Sequence, residues 1–288
     1  MSERLARRPG LVLALALVTA ASAACTARAQ SWRTVNSSRQ VWGEKNLNVQ
    51  VEYGAGRLTV APASQPLLYQ FQMRYDEDRV APVTTYDRRT GTLRLATQQN
   101  DRRGSRKVSD EARATVNLTR DVPLALDVKF GAGEANLDLG GLSLRNVRLA
   151  TGASDTRVSF STPNRIPAEG VRMEAGAASF SATGLGNTRA ERFEFEGGVG
   201  EATLDFSGAW DRSASASVKM GIGSLTLRFP RSVGVKVVKD SFLTSFDGSG
   251  MVKRGNAYYS RNWDSAPNRL TVTVEAALGS IDIDWIDS

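Results

Sequence analysis

The chain has 288 residues, with 37 Lys and Arg against 30 Asp and Glu, one cysteine and no histidine. The missing histidine excludes Ser-His-Asp and Cys-His catalysis and every histidine-ligated metal centre. A lone cysteine excludes an internal disulfide and multi-thiolate metal sites.

At the N-terminus Arg4, Arg7 and Arg8 precede an apolar run from Leu11 to Ala24. Such a run suits the core of a signal peptide and falls short of the roughly 20 residues a membrane span requires. Residues 1–29 are therefore expected to be a signal peptide, and the protein to be exported to the periplasm, cell surface or beyond. Two processing sites compete. Ala27-Arg28-Ala29 before Gln30 fits signal peptidase, whereas Ala23-Ala24-Cys25 resembles the end of a lipobox with Ser22 in place of the usual Leu. The first leaves a soluble product and the second a lipid on Cys25. Residues 1–29 carry four Arg and one Glu, so their loss lowers the net charge from +7 to +4. That value is ordinary for an exported domain and gives nucleic-acid binding little support.

From Leu47 the chain alternates: Leu47, Val49, Val51 and Tyr53, then Gly54-Ala55-Gly56, then Leu58 and Val60. Strands are expected at Leu67–Tyr75, Thr92–Leu95 and Ala114–Leu118, with a polar loop over Gln98–Arg113. Glycine-rich elements then recur at Gly131-Ala132-Gly133, Gly152-Ala153, Gly176-Ala177, Gly198-Val199-Gly200 and Gly221-Ile222-Gly223, in steps of 21, 24, 22 and 23 residues. A period near 22 is the mark of a stacked array. Period-2 alternation flanks each element, as in Leu126, Val128, Phe130 before one and Leu225, Leu227, Phe229 after another. It places one face in a core and the other in water. The expected fold is all-β, a solenoid or roll of strand–Gly turn–strand units, with Ala132, Ala153 and Ala177 kept small by crowding between stacked turns. The expected layout is an N-terminal β region (30–120), Gly-turn repeats (121–245) and a C-terminal β cap (246–288), with a single elongated domain over 30–288 equally tenable.

Tyr53-Gly54-Ala55-Gly56-Arg57-Leu58-Thr59-Val60 resembles the opening motif of the bacterial toast-rack proteins. Gly221-Ile222-Gly223-Ser224-Leu225-Thr226-Leu227, with Phe229-Pro230 and Val233-Gly234-Val235, resembles the C-terminal domain of cell-wall-active-antibiotic-response proteins. So does Asn268-Arg269-Leu270 leading into Leu278-Gly279-Ser280-Ile281-Asp282-Ile283. Bacterial putative adhesins with Gly-x-Gly β repeats are similar too. The resemblance implies a solenoid-like β domain outside the cytoplasm and carries over no catalytic residue. The antibiotic-response proteins join this domain to membrane helices and act with an envelope-stress kinase; this chain shows no such helices in its sequence.

Several clusters invite functional readings. Tyr258, Tyr259, Arg261 and Trp263 form the densest aromatic patch, suited either to closing the last rung or to binding a sugar or a partner. Arg102, Arg103, Arg106 and Lys107 form a basic contact loop or a solvated one. Glu194/Glu196 and Asp282/Asp284, the latter near Asp287, share strand faces, as a glycosidase pair or calcium site would and as any solvent face does. The Gly-x-Gly elements lack the third glycine and the following helix of a dinucleotide loop. No cofactor or metal is expected. The function expected is a non-enzymatic envelope protein for adhesion, scaffolding or partner binding, with an envelope-stress accessory or a glycan- or ion-binding module as alternatives. The partner is an unidentified envelope protein or surface polymer, and open sheet edges leave room for self-association.

Overall fold

Alternation at period 2 on both sides of a glycine element makes each unit a strand. The computed structural model describes residues 31–100, 111–241 and 243–287, which belong to one compact unit, Ser31–Ser288. Cys25 and the basic residues Arg102, Arg103, Arg106 and Lys107 lie outside the described residues.

The N-terminal strands are β1 (Trp32–Gln40), β2 (Leu47–Pro62), β3 (Leu67–Asp76), β4 (Val80–Asp87), β5 (Thr92–Gln99) and β6 (Arg113–Leu118). The long central ones are β7 (Leu124–Asp138), β8 (Leu144–Ser159), β9 (Gly170–Thr183), β10 (Arg192–Asp205) and β11 (Ala214–Pro230). Last come β12 (Gly234–Ser241), β13 (Thr244–Asp247), β14 (Met251–Arg254), β15 (Ala257–Ser260) and β16 (Arg269–Ile286). The helical content of the described residues is one 3-10 turn, Leu185–Thr188. The protein is all-β.

The glycine elements do not separate strands. They lie inside unbroken strands of 14 to 18 residues, which corrects the expectation of strand–turn–strand units. The second glycine supplies the reason. Gly56, Gly133, Gly200, Gly223 and Gly279 have φ between +114° and +136°, a region that L side chains rarely adopt. These strands bend without leaving the sheet, and the inward parity switches at the bend; β8 and β9 carry Ser154 and Ala178 at that place instead of glycine and switch parity at the same height. On β11 Val218 and Met220 are buried before it, and Leu225, Leu227 and Phe229 after it. The two arms of each strand face one another across the core. Phe193, near the start of β10, and Phe206, just past its end, meet edge-on at 5.5 Å between ring centroids. Phe195 on one arm of β10 meets Phe180 on the other arm of β9 at 5.2 Å.

The strands β2, β7, β8, β9, β10, β11 and β16 pair in parallel, in that order. Val128 lies beside Leu149, Leu149 beside Met173, Met173 beside Phe195 and Phe195 beside Val218. These offsets equal the glycine intervals of the sequence, so like residues form columns. The glycines form columns as well: a Cβ on Gly131, Gly152 or Gly221 would run into the carbonyl oxygen of Gly54, Gly131 or Gly198 respectively. The residue after the first glycine points outward instead, so the small size of Ala132, Ala153 and Ala177 is not imposed by crowding. Val199 and Ile222 occupy the same column and are exposed.

Buried asparagines tie the connections to the ladder. The Asn164 side chain accepts from Leu144 N (2.8 Å) and donates to Leu144 O (2.8 Å), satisfying backbone that the strands leave unpaired. At each end the ladder forks. The first arm of β2 pairs with β5 and the second with β6; the first arm of β16 pairs with β12 and the second with β13. Antiparallel strands then close both ends, β3 and β1 beyond β6, β4 beyond β5, and β15 and β14 beyond β12. The pairing of β2 with β7 runs across the region around Thr119–Val122. The outer strands carry edge-blunting residues such as Arg33 and Arg39 on β1, Pro82 on β4 and Lys253 and Arg254 on β14.

Tyr53 stacks on Phe130 beside the bend, 6.1 Å between centroids, and its hydroxyl is buried without a hydrogen-bond partner. Desolvation pushes the phenol up to about 12 from an ordinary 10.0. The folded state therefore holds the proton more tightly than the unfolded chain does. The associated stability is complete below the unfolded value and is lost as pH rises through the folded one.

Two predictions follow from the bend. Gly223→Ala, at φ +136° and with its Cβ directed onto Gly200 O, is expected to cost more than about 3 kcal/mol in denaturant unfolding. Gly170→Ala, whose nearest neighbour would be 3.6 Å away, stays within about 1 kcal/mol of wild type. Tyr53→Phe removes an unsatisfied hydroxyl, so at neutral pH it should match or exceed wild-type stability by up to about 1 kcal/mol. In unfolding measured from pH 10 to 12, wild type should lose stability that Tyr53→Phe retains.

Candidate functional site

Parallel in-register pairing brings outward residues into rows, and the charged rows are largely matched from strand to strand. Arg172 on β9 reaches Glu174 (2.8 Å) and, on β10, Glu194 (2.6 Å) and Glu196 (3.3 Å). The pair Glu194/Glu196 is thus held by one guanidinium, which neutralises carboxylates that would otherwise repel. Lys219 pairs with Glu275 at 3.2 Å, and Arg57 with Glu134 at 3.1 Å. Hydrogen bonds from Asn136 and Arg57 hold the Glu134 carboxyl below the usual carboxylate range. All these groups are substantially exposed, so each pair contributes little stability, on the order of 0–1 kcal/mol.

The acidic C-terminal residues are arranged in the same manner. Asp284 pairs with Arg228 at 3.4 Å, Asp287 with Arg231 at 3.3 Å, and Asp282 accepts from Ser280 at 3.1 Å. Among the described residues, no group of three or more acidic or thiol side chains is placed to hold a metal ion. The Gly-x-Gly elements lie within strands, and none opens a helix.

The aromatic patch divides between two faces of β15, as adjacent strand residues must. Tyr258 turns inward, its ring 4.6 Å from Phe246, and both pack against the core. Tyr259 turns outward and meets Trp263 edge-on at 5.5 Å. Cations surround this outward pair. Lys236 Nζ lies 5.7 Å and the Arg254 guanidinium 5.4 Å from the Tyr259 centroid, and the Arg269 guanidinium lies 5.5 Å from that of Trp263. Arg269 also donates to the carbonyls of Trp263 (3.0 Å) and Asp264 (3.3 Å), which fixes its position. Arg254 pairs with Asp264 at 2.9 Å. Arg261 is exposed and makes no ion pair with the described residues. The four residues singled out in sequence therefore separate: Tyr258 closes the core, while Tyr259 and Trp263 join an outward basic cluster that Arg261 adjoins. Lys236, Arg254 and Arg269 were not apparent from sequence, since they arrive from three different strands.

A second outward feature runs along the bend. Its column reads Ala55, Ala132, Ala153, Ala177, Val199, Ile222 and Leu278, enlarging toward the C-terminal end. Val199, Ile222 and Leu278 are 53%, 48% and 46% exposed, and Leu243, just ahead of the Thr244–Gly279 pair, extends the row. Four of the six exposed large apolar residues among the described ones lie here, so this is an organised ridge and not scatter. The middle residue of each glycine element is the sequence signal that marks it.

With the columns established, the match to known proteins acquires a physical meaning. The profile for the N-terminal domain of toast_rack (DUF2154) matches residues 27–182 and 165–228. The chain belongs to the toast-rack family. No curated protein matches it. Among solved structures, the toast-rack chain is similar to a putative cell adhesion protein from Clostridium sporogenes, at 18% identity and TM-score 0.49, covering 89% of this chain and 100% of that one. It is similar also to a putative adhesin from Bacteroides fragilis, at 14% identity and TM-score 0.41, covering 87% and 97%. A third is a putative lipid binding protein from Parabacteroides distasonis, at 10% identity and TM-score 0.30, covering 89% and 97%. Among the described residues of the toast-rack chain, no helix is long and apolar enough to cross a membrane.

The ridge and the core differ in what they cost to alter. Ile222→Ser, on the exposed ridge, should change unfolding stability by no more than about 0.5 kcal/mol. Leu227→Ala, fully buried one turn of alternation away, should cost about 2–5 kcal/mol in the same measurement.

Proposed function

We propose that this toast-rack chain is a non-enzymatic, exported cell-envelope protein whose β surface serves adhesion, scaffolding or partner binding. In this reading residues 1–29 direct export, with anchoring through Cys25 as the variant form, and residues 30–288 act as one solenoid-like domain. The stretches 30–120 and 246–288 are its two ends, and 121–245 is its repetitive middle.

The observation that carries the proposal is the outward aromatic and basic cluster of Tyr259, Trp263, Lys236, Arg254 and Arg269, displayed at the C-terminal end of the ladder. Aromatic and arginine side chains that stay at the surface are the ones interfaces favour. The ladder supports the reading in a second way. Many of its carboxylates, Glu134, Glu194, Glu196, Glu275 and Asp284 among them, pair with arginine or lysine on neighbouring strands, whereas acid–base catalysis needs carboxylates converging on one substrate with their titration shifted apart. A surface of this kind offers repeated, shallow contacts over a long front.

The test has two parts. Expressed with its own N-terminus, the chain should lose that segment and fractionate with the envelope or the medium; Cys25→Ser should release it from membranes if Cys25 carries the anchor. Beads coated with the purified chain should adhere to envelopes of the producing bacterium, and Trp263→Ala should weaken adhesion with circular dichroism unchanged. Retention of the uncut chain in the cytoplasm, or coated beads that bind no better than bare ones, would overturn the proposal.

A further inference from the structure

The charge of the molecule is unevenly placed. Residues 30–288 have a net charge of +4, and the stretch from Arg231 to Arg269 alone holds seven Lys and Arg against three Asp, again +4. Everything else between 30 and 288 nets to zero. The excess positive charge therefore resides on β12 to β15 and the segment leading into β16. The same stretch holds five of the seven cation–π contacts among the described residues: Lys236 and Arg254 with Tyr259, Arg269 with Trp263, and on the inner side Lys239 with Phe246 and Lys253 with Tyr258. An aromatic face attracts a cation without neutralising it, so these groups are held in place, and among the described residues only Arg254 of the five also meets a carboxylate, Asp264. Along the rest of the ladder Arg57, Arg94, Arg157, Arg172 and Arg228 are paired with carboxylates.

We infer that the outer face formed by Lys236, Arg254, Tyr259, Trp263 and Arg269, with Arg261 beside it, binds an acidic polysaccharide through the carboxylate or phosphate groups of the polymer. The inference rests on the envelope-binding function proposed above and names the ligand class for it. Guanidinium groups match such oxyanions with paired N–H donors; Arg254 and Arg269 commit part of theirs to Asp264 and to the carbonyls of Trp263 and Asp264, and contribute mainly charge. Asp264 on this face is committed to Arg254 at 2.9 Å, and Asp240 lies four residues along β12 from Lys236, beside Glu275. Arg261 makes no ion pair with the described residues and supplies a guanidinium ready for an external partner. The rings add sugar-facing edges and polar tips to the same surface. An anionic bilayer fits less well. Interfacial membrane binding sinks apolar side chains into the acyl boundary, yet Tyr259 and Trp263 are half-buried, and Val252 is the exposed large apolar residue on the neighbouring strand.

The probe is polygalacturonate, with neutral dextran as control, titrated calorimetrically against the full chain at low and high salt. Wild type should bind polygalacturonate and not dextran, with affinity falling steeply as salt rises, since polyanion binding releases counterions. Lys236→Gln/Arg254→Gln/Arg261→Gln should weaken binding at low salt by about tenfold or more and flatten the salt dependence. Because Arg254 also pairs with Asp264, Arg261→Gln alone serves as the variant that leaves internal contacts intact; it should weaken binding by about two- to fivefold. The inference is overturned if wild type ignores polygalacturonate at low salt, or if a triple variant with native circular dichroism binds as wild type does. It is overturned equally if the loss follows Arg102→Gln/Arg103→Gln/Arg106→Gln/Lys107→Gln instead, or if binding occurs only to phosphatidylglycerol-containing vesicles. Should polygalacturonate fail while coated beads still adhere to envelopes, the ligand class falls and the envelope function stands. If the beads fail as well, both fall.

Discussion

The contact on which everything else depends is glycine against glycine at the bend. Where Gly223 meets Gly200, and Gly279 meets Gly223, the backbone of one strand passes so close to a carbonyl of the next that a β-carbon has no room. Positive φ at these positions turns the chain, and the close approach lets neighbouring strands turn at the same height. In β8 and β9, where Ser154 and Ala178 replace the second glycine, the first-glycine column of Gly131, Gly152, Gly176 and Gly198 alone keeps the strands close, and the inward columns of Val, Leu and Phe continue across them. Hydrophobic burial then does the stabilising, at about 2 kcal/mol for each large side chain removed from water. The bend decides which side chains take part.

Parallel pairing at a constant offset has an electrostatic consequence as well as a packing one. Identical residues stacked on successive strands place like charges side by side, which is unfavourable. The sequence avoids this by alternating signs across strands, as with Glu196, Lys219 and Glu275, or by bridging acids through Arg172. The matching is partial, since Arg148 lies beside Arg172 and Asp240 beside Glu275. The positive C-terminal end lies where the pairing turns antiparallel.

Much of this was legible in the sequence because glycine spacing and pairing register are the same quantity. The intervals between Gly131, Gly152, Gly176, Gly198 and Gly221 are the offsets at which the strands pair, and β3, β5 and β6 begin within a residue of their expected positions. The long strands were harder to foresee. A glycine flanked by alternation reads equally as a hairpin turn or as a bend within one strand, and only the partner strand distinguishes them. β1, with its polar Asn36-Ser37-Ser38 centre, and β4 carry too little apolar alternation to stand out. The outward cluster was legible only in part. Tyr258 to Trp263 are adjacent in the chain, but Lys236 and Arg254 reach them through the antiparallel closure of β12, β15 and β14, and Arg269 from the start of β16, pairings that no local pattern announces.

The constant offset also makes chain length a modular quantity. Removing a segment from one column position to its equivalent on the next strand, such as Val171 to Arg192, would leave Leu149 beside Phe195, and only a cut matched to the local offset keeps the glycine column continuous. Insertions and deletions near 22 residues are therefore silent to the bend, while those of ten or eleven place a side chain where a carbonyl already stands. Lineages built on this plan can lengthen or shorten by whole rungs, carrying the same two closing ends at a different separation.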